Sequence, residues 1–174
     1  MVGMLKASMP DPLHVTLTLK EFLIIEQCPP EWKPLDVYLF RDGDLVFYIG
    51  QSYMAFDRVW RQIRDGYKAR STIGRFLLTN WPISMNFTIE LFSSQDIHFA
   101  ALSNELNAVE RVLIEQAAPC FNAVLNRQPT PLPRQYVPPD AEIQRRRNLK
   151  TLIRESRYHL QAERKRSWLV DLEE

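Results

Sequence analysis

Glu110 is the first residue that asks for a chemical explanation. It stands four residues after Leu106 and three before Leu113, so a helix places it against the apolar stripe rather than opposite it. An isolated carboxylate is costly to desolvate. Two readings follow: a structural ion pair with an arginine, or a ligand for a cation. Glu105 and Glu115 face solvent by the same geometry. Tyr38 and Tyr48 lie ten residues apart on two β-rich runs, where tyrosine is by itself only a good strand former. Arg58 falls ten residues after Tyr48 and shares its helix with Arg61, Gln62 and Arg64. A guanidinium suits two-pronged contact with phosphate or carboxylate. Gln51 and Gln62 are polar candidates without an independent signal. Other chemistries find no cluster. His14, His98 and His159 are scattered, and the five glycines fit no phosphate loop. Cys28 and Cys120 supply neither a disulfide framework nor a four-cysteine zinc site.

The elements that must position these residues are legible in part. Asp36–Arg41 and Leu45–Gly50 flank an Asp-Gly step, the pattern of a β-hairpin. A strict two-residue turn at Asp42-Gly43 pairs Tyr38 with Phe47 and sends Tyr48 to the opposite face. A shared site therefore needs a three-residue loop or a bulge. The periodicity predicts a helix over Ser52–Asp65, a strand over Met85–Phe92 and a helix over Ile97–Ala118, with Pro119 just beyond. Gly66–Pro82 reads as a loop carrying the apolar patch Phe76-Leu77-Leu78. Leu13–Gln27 is ambiguous. Its alternation suits a strand, while Thr18-Leu19-Lys20-Glu21 reads as a capping box, and the expectation is a short helix over Leu19–Gln27.

Composition bounds the rest. With 174 residues, 45% hydrophobic and 25% charged, the chain has room for one domain and a short appendage. Five of the twelve prolines fall between Pro129 and Pro139, the mark of an extended linker, and Asp140–Leu172 reads as a charged helix. The expected division is 1–34 as an extension with a short helix, 35–126 as the core, 127–139 as the linker and 140–174 as the charged helix. No run approaches the ~18 apolar residues a membrane helix needs. Met1–Pro12 lacks a basic patch followed by an apolar run, so a cytoplasmic protein without membrane contact is expected. Met1–Pro119 holds 11 Lys/Arg against 14 Asp/Glu, and Cys120–Glu174 holds 11 against 7. Such asymmetry suits a polyanion contact at one end, or a solvated helix of mixed charge.

The pattern as a whole resembles the GIY-YIG nuclease family. Val37-Tyr38 with Tyr48-Ile49-Gly50 matches its paired motif, Arg58 its helical arginine, and Glu110 with Pro119 and Asn122 its closing Glu…Pro…Asn pattern. The resemblance covers roughly residues 35–125 and implies an α+β fold, a small antiparallel three-stranded sheet in β-β-α-β-α order. It implies a divalent-metal-dependent DNA endonuclease in which Glu110 holds Mg²⁺ or Mn²⁺ and Arg58 grips the scissile phosphate. Tyr38 would accept or relay the proton of the attacking water, and Tyr48 would orient water or phosphate. Gln51, Gln62 and Asn122 would support, Asn122 by hydrogen bonds around Glu110. Arg61, Arg145, Arg146, Arg147 and Lys150 would contact the DNA backbone. Without room for a large recognition domain or the cysteines of a zinc module, a stand-alone enzyme of restriction-like or phage- or mobile-element-like type is expected. Three departures stand out: Asp36 where glycine is usual, Gln51 in place of a lysine, and Gln62 where many members carry histidine or tyrosine. They motivate an alternative, a catalytically weakened DNA-binding or structural module. The longer stretch between Arg58 and Glu110 suggests a substrate loop over Gly66–Pro82, and the C-terminal helix suggests a homodimer contact.

Overall fold

The computed structural model describes residues 14–95, 99, 107–143 and 147–171. Its centre is an antiparallel sheet of four strands in the order β1-β4-β2-β3, with β1 at Val15–Thr18, β2 at Val37–Asp42, β3 at Leu45–Gln51 and β4 at Thr88–Phe92. The expected three-stranded sheet is thus corrected to four. The extra strand comes from the ambiguous N-terminal segment, where both signals act in succession. Val15–Thr18 pairs with Leu91–Thr88. Thr18 then closes a full capping box with Glu21 and starts α1, Leu19–Leu23, shorter than the expected helix.

Helices cover both faces. One face carries α1, α2 (Ala55–Gly66), α3 (Thr72–Thr79) and α5 (Leu149–Asp171) around Phe22, Phe40, Phe47, Phe76 and Phe87, all fully buried. The other carries α4, Ala108–Ala117, whose Val109 and Ile114 pack on Val37, Leu39, Ile49 and Phe92. Of the helix expected over Ile97–Ala118, α4 is the described part, and Asn107 ahead of it takes a left-handed conformation at φ 68°; residues 97–98 and 100–106, Leu102 and Leu106 among them, lie outside the described residues. Gly66–Pro82, expected as a loop, is corrected: it contains the helix α3 between turns. The Ser71 hydroxyl accepts the Gly74 N–H as the N-cap of α3, and the patch Phe76-Leu77-Leu78 is its buried side.

The proline-rich stretch lies along α3 rather than reaching into solvent. Asn80 exchanges two hydrogen bonds with the Val137 backbone, 2.8 Å each, and Arg75 donates to the Pro139 and Ala141 carbonyls. Tyr136 plugs into the aromatic core edge-on to Phe47, with ring centroids 5.3 Å apart, and its hydroxyl donates to Asp42 at 2.6 Å. Tyr136→Ala is expected to destabilise the fold by about 3–5 kcal/mol and Tyr136→Phe by about 1 kcal/mol, read from urea unfolding. An unchanged midpoint in Tyr136→Ala would mean the segment is not part of the core.

The charged helix α5 packs back on its own chain. Leu152 and Ser156 are buried, Lys20 of α1 bonds Glu163, and Arg157 reaches Glu26 at 3.2 Å. Its last turn leaves Trp168, Leu169 and Val170 exposed. No described helix is long and apolar enough to cross a membrane.

Candidate active site

The hairpin decides whether the two tyrosines meet. Asp42 pairs with Leu45 across a Gly43-Asp44 turn, and Gly43 takes φ +56°, a conformation glycine adopts without strain. Alone, this turn would put Tyr48 on the face opposite Tyr38. A bulge prevents that. Phe40 pairs with Tyr48 and Arg41 with Val46, so Phe47 is the extra residue. Phe47 and Tyr48 then share a face with Phe40 and Tyr38, and the two tyrosine rings lie 6.1 Å apart. Tyr38 pairs with Gly50, and its ring occupies the space a Cβ at that glycine would need.

The tyrosines are not equivalent. Tyr38 is only 1% exposed: of the two expected roles, accepting or relaying the proton of a substrate water, direct acceptance does not suit a phenol that faces the core, and Tyr48 is the phenol nearer the surface. Burial, then the neighbouring Tyr38 and the Glu110 carboxylate, push the Tyr48 hydroxyl up to about 12, with the Arg58 guanidinium pulling the other way. Tyr48 is therefore a neutral phenol at physiological pH, a donor rather than a base. The same effects place Tyr38, Arg58 and Glu110 within electrostatic reach of the Tyr48 hydroxyl, although the four residues come from two strands and two helices.

Glu110 sits in the first turn of α4, half-buried, where the helix N-terminus favours negative charge. Burial raises its carboxyl above the usual range. Among the described residues it makes no ion pair, so the structural reading of this carboxylate finds no partner there. Arg58 is half-buried on α2, and Arg61, one turn on, is exposed.

The supporting residues divide. Asn122 does not bond Glu110. Its buried amide takes both polar groups of Ile49, accepting from N at 3.0 Å and donating to O at 2.8 Å. With Cys120 N on Val46 O and Phe121 N on Phe47 O, it seals the free edge of β3 beside Tyr48. Gln62 is buried, donates to the Tyr38 hydroxyl at 3.0 Å and accepts from Ser71 at 2.5 Å. Both ends of its amide are engaged inside, so it does not orient a substrate water. Gln51 extends toward Asp36 from the strand position that alternates with Gly50, away from the tyrosine face. Asp36 in turn binds the Ser94 N–H and hydroxyl, which ties the start of β2 to the exit of β4 and gives the departure from glycine a structural use.

Of the basic residues, Arg147 is paired with Glu155 at 3.0 Å and Lys150 is exposed on α5; Arg145 and Arg146 lie outside the described residues. Two clefts lie apart from the tyrosines. One, of about 270 Å³, is lined by Tyr67, Arg75, Trp81 and Arg147 among others; another includes Arg61 beside Asp57 and Trp60. Ser71 escaped the sequence reading. Its signal was a serine three residues before Gly74, ahead of the apolar set Ile73, Phe76 and Leu77.

No family model, curated protein or solved structure matches the chain.

Proposed function

We propose that the chain is a metal-dependent endonuclease that hydrolyses DNA phosphodiester bonds. The observation that carries the reading is the convergence of the Arg58 and Glu110 charges on the Tyr48 hydroxyl, with Tyr38 behind it. A cation, a phosphate grip and a neutral donor supply the charge stabilisation that hydrolysis of a phosphodiester requires, and the proton of the attacking water would pass to solvent water.

The donor set fits a hard divalent ion. Among the described residues no three His, Cys, Asp or Glu side chains gather; Glu110, half-buried and without an ion-pair partner among them, would be the protein ligand. Mg²⁺ is commonly held by one or two carboxylates, with waters and substrate phosphate completing its shell. Mn²⁺ has the same taste in donors. When bound, the ion supplies charge stabilisation at the leaving 3′ oxygen. The rest is the chain's own work. Arg58 grips the scissile phosphate through two parallel hydrogen bonds. Tyr48 donates to a phosphoryl oxygen, which orients the phosphate. Tyr38 orients Tyr48 from inside the core, and Asn122 holds the strand segment on which Tyr48 rides.

Supercoiled plasmid and single-stranded DNA, each incubated with and without Mg²⁺, test the reading. Metal-dependent nicking is the expected result. The engagement of Gln62 inside the core favours a second reading, a DNA-binding module of weakened activity, which predicts binding without cleavage under any metal. Absence of any DNA affinity at low salt overturns both.

Arg61, exposed one turn beyond Arg58, would meet phosphate as part of the same row. Arg61→Ala is expected to weaken binding about equally across sequences and to reduce the salt slope of log K by about 1. Fluorescence anisotropy from low to moderate salt measures that slope. An unchanged slope removes Arg61 from the interface.

A further inference from the structure

The hydroxyl of Ser71 anchors a buried hydrogen-bond chain that ends at Tyr38, and the chain's direction can be worked out from its first link. A backbone N–H can only donate. Gly74 N–H donates to Ser71 Oγ at 2.9 Å. Ser71 Oγ lies 2.5 Å from Gln62 Oε1, and Gln62 Nε2 lies 3.0 Å from the Tyr38 hydroxyl. Ser71 and Gln62 are each 6% exposed and Tyr38 is 1% exposed, so each polar atom must find its partner inside.

Ser71 has spent a lone pair on Gly74 and has one proton to place. Among the described contacts its acceptor is Gln62. Turning the amide over would set an NH₂ group against Ser71, strand the serine proton in the core and present a carbonyl to Tyr38. Leaving a buried donor unmade is the more costly arrangement. The amide is therefore locked with its nitrogen toward the tyrosine. The Tyr38 oxygen accepts, and its own proton is therefore directed away from the Gln62 amide.

The close approach that permits this is built into the backbone. A Cβ at Gly74 would overlap the Gln62 carbonyl, and a Cβ at Gly66 would overlap the Gly74 backbone. Only with glycine at both positions does α3 come near enough for its N-cap to reach the α2 side chain.

We infer that Ser71 is a positioning residue, which acts through Gln62 to fix the outward direction of the Tyr38 proton. That this proton orders Tyr48 over a phosphodiester rests on the nuclease reading; the direction of the chain does not.

The two parts are tested separately on the full chain. NMR of isotope-labelled protein should give a cross-relaxation peak between the Gln62 side-chain amide protons and the Tyr38 ring, with slow exchange of those protons. Ser71→Ala should weaken the peak and speed exchange about tenfold, the loss expected for one hydrogen bond. Ser71→Thr, which keeps the hydroxyl, should restore both. In the plasmid assay Ser71→Ala should lower kcat about tenfold with KM unchanged, again with rescue by Ser71→Thr. Amide protons found against Ser71 in the wild-type protein overturn the inference, and that measurement needs no variant to fold. So does a Ser71→Ala variant that leaves the Gln62 amide or kcat unchanged. A wild-type protein with the expected peak and no nicking sinks the nuclease reading while the chain direction stands.

Discussion

Glu110→Ala abolishes Mg²⁺-dependent nicking, a loss on the order of a hundredfold or more in rate, if the carboxylate is the cation's protein ligand. The carboxylate stands isolated. Among the described residues no arginine or lysine pairs with it, yet it is half-buried beside the Tyr48 phenol. DNA binding should survive, because Arg58 and Arg61 remain. Glu110→Gln separates charge from shape, and its stability should move the opposite way from its activity. Burial raises the Glu110 carboxyl, so the folded chain holds this proton more tightly than the unfolded chain does. Its ionised form then opposes folding, and stability falls as pH rises from the ordinary carboxylate range through the raised value. Removing the charge should raise the melting temperature at neutral pH in metal-free buffer. The gain should vanish in acid, where the carboxyl is protonated in both states. A Glu110→Gln protein that nicks at the wild-type rate would falsify the metal role. One that melts lower than wild type at neutral pH would point instead to an ion pair that the carboxylate needs.

The second large effect is on the fold. Gly74→Ala is expected to destabilise by about 3 kcal/mol or more, the range of a core overpacking that backbone must absorb. The added methyl would overlap the Gln62 carbonyl oxygen and approach the Gly66 Cα, and neither atom belongs to a side chain able to swing away. Relief requires α3 to lift from α2. Lifting pulls Phe76 and Leu77 out of the core and breaks the Ser71–Gln62 contact. Urea unfolding gives the magnitude. Gly43→Ala is the control, since a methyl there meets nothing, although the turn conformation at φ +56° is strained for alanine. A Gly74→Ala protein as stable as wild type would mean the two helices are not held by backbone contact.

How far the sequence foretold this molecule depends on whether each signal was local. The hairpin was legible because Asp42-Gly43-Asp44 separates two runs of strand formers. The capping box at Thr18 was legible because its two partners lie three residues apart. β1 was obscured because its alternation abuts that box, and because its partner, β4, lies some 70 residues away in the chain. α3 was obscured by composition: Thr72, Ile73, Gly74 and Thr79 are weak helix formers, and what holds the helix is a cap and a glycine contact with α2. The requirement for a bulge or longer loop followed from parity alone, but which residue bulges was decided by the core, where Phe47 meets Phe76, Phe87 and Tyr136. At the candidate site, Glu110 stood out from its place against an apolar helix stripe, while Tyr38, Tyr48 and Arg58 drew meaning only from the family resemblance. The burial of Tyr38 and the Asn122 seal on Ile49 were not, since both depend on contacts between distant segments.

The insertion of Tyr136 among Phe47, Phe76 and Phe87 has a bearing on how the chain is born. Synthesis proceeds from the N-terminus at about 5–20 residues per second, so every strand emerges from the ribosome before the ring that closes their centre. Leu152, another member of that interior, arrives later still. Until both are out, the aromatic cluster stays open on one side. A nascent chain halted after Leu125 therefore carries all the residues of the proposed chemistry with an unfinished scaffold, and a closed interior waits on the segments that bring Tyr136 and Leu152.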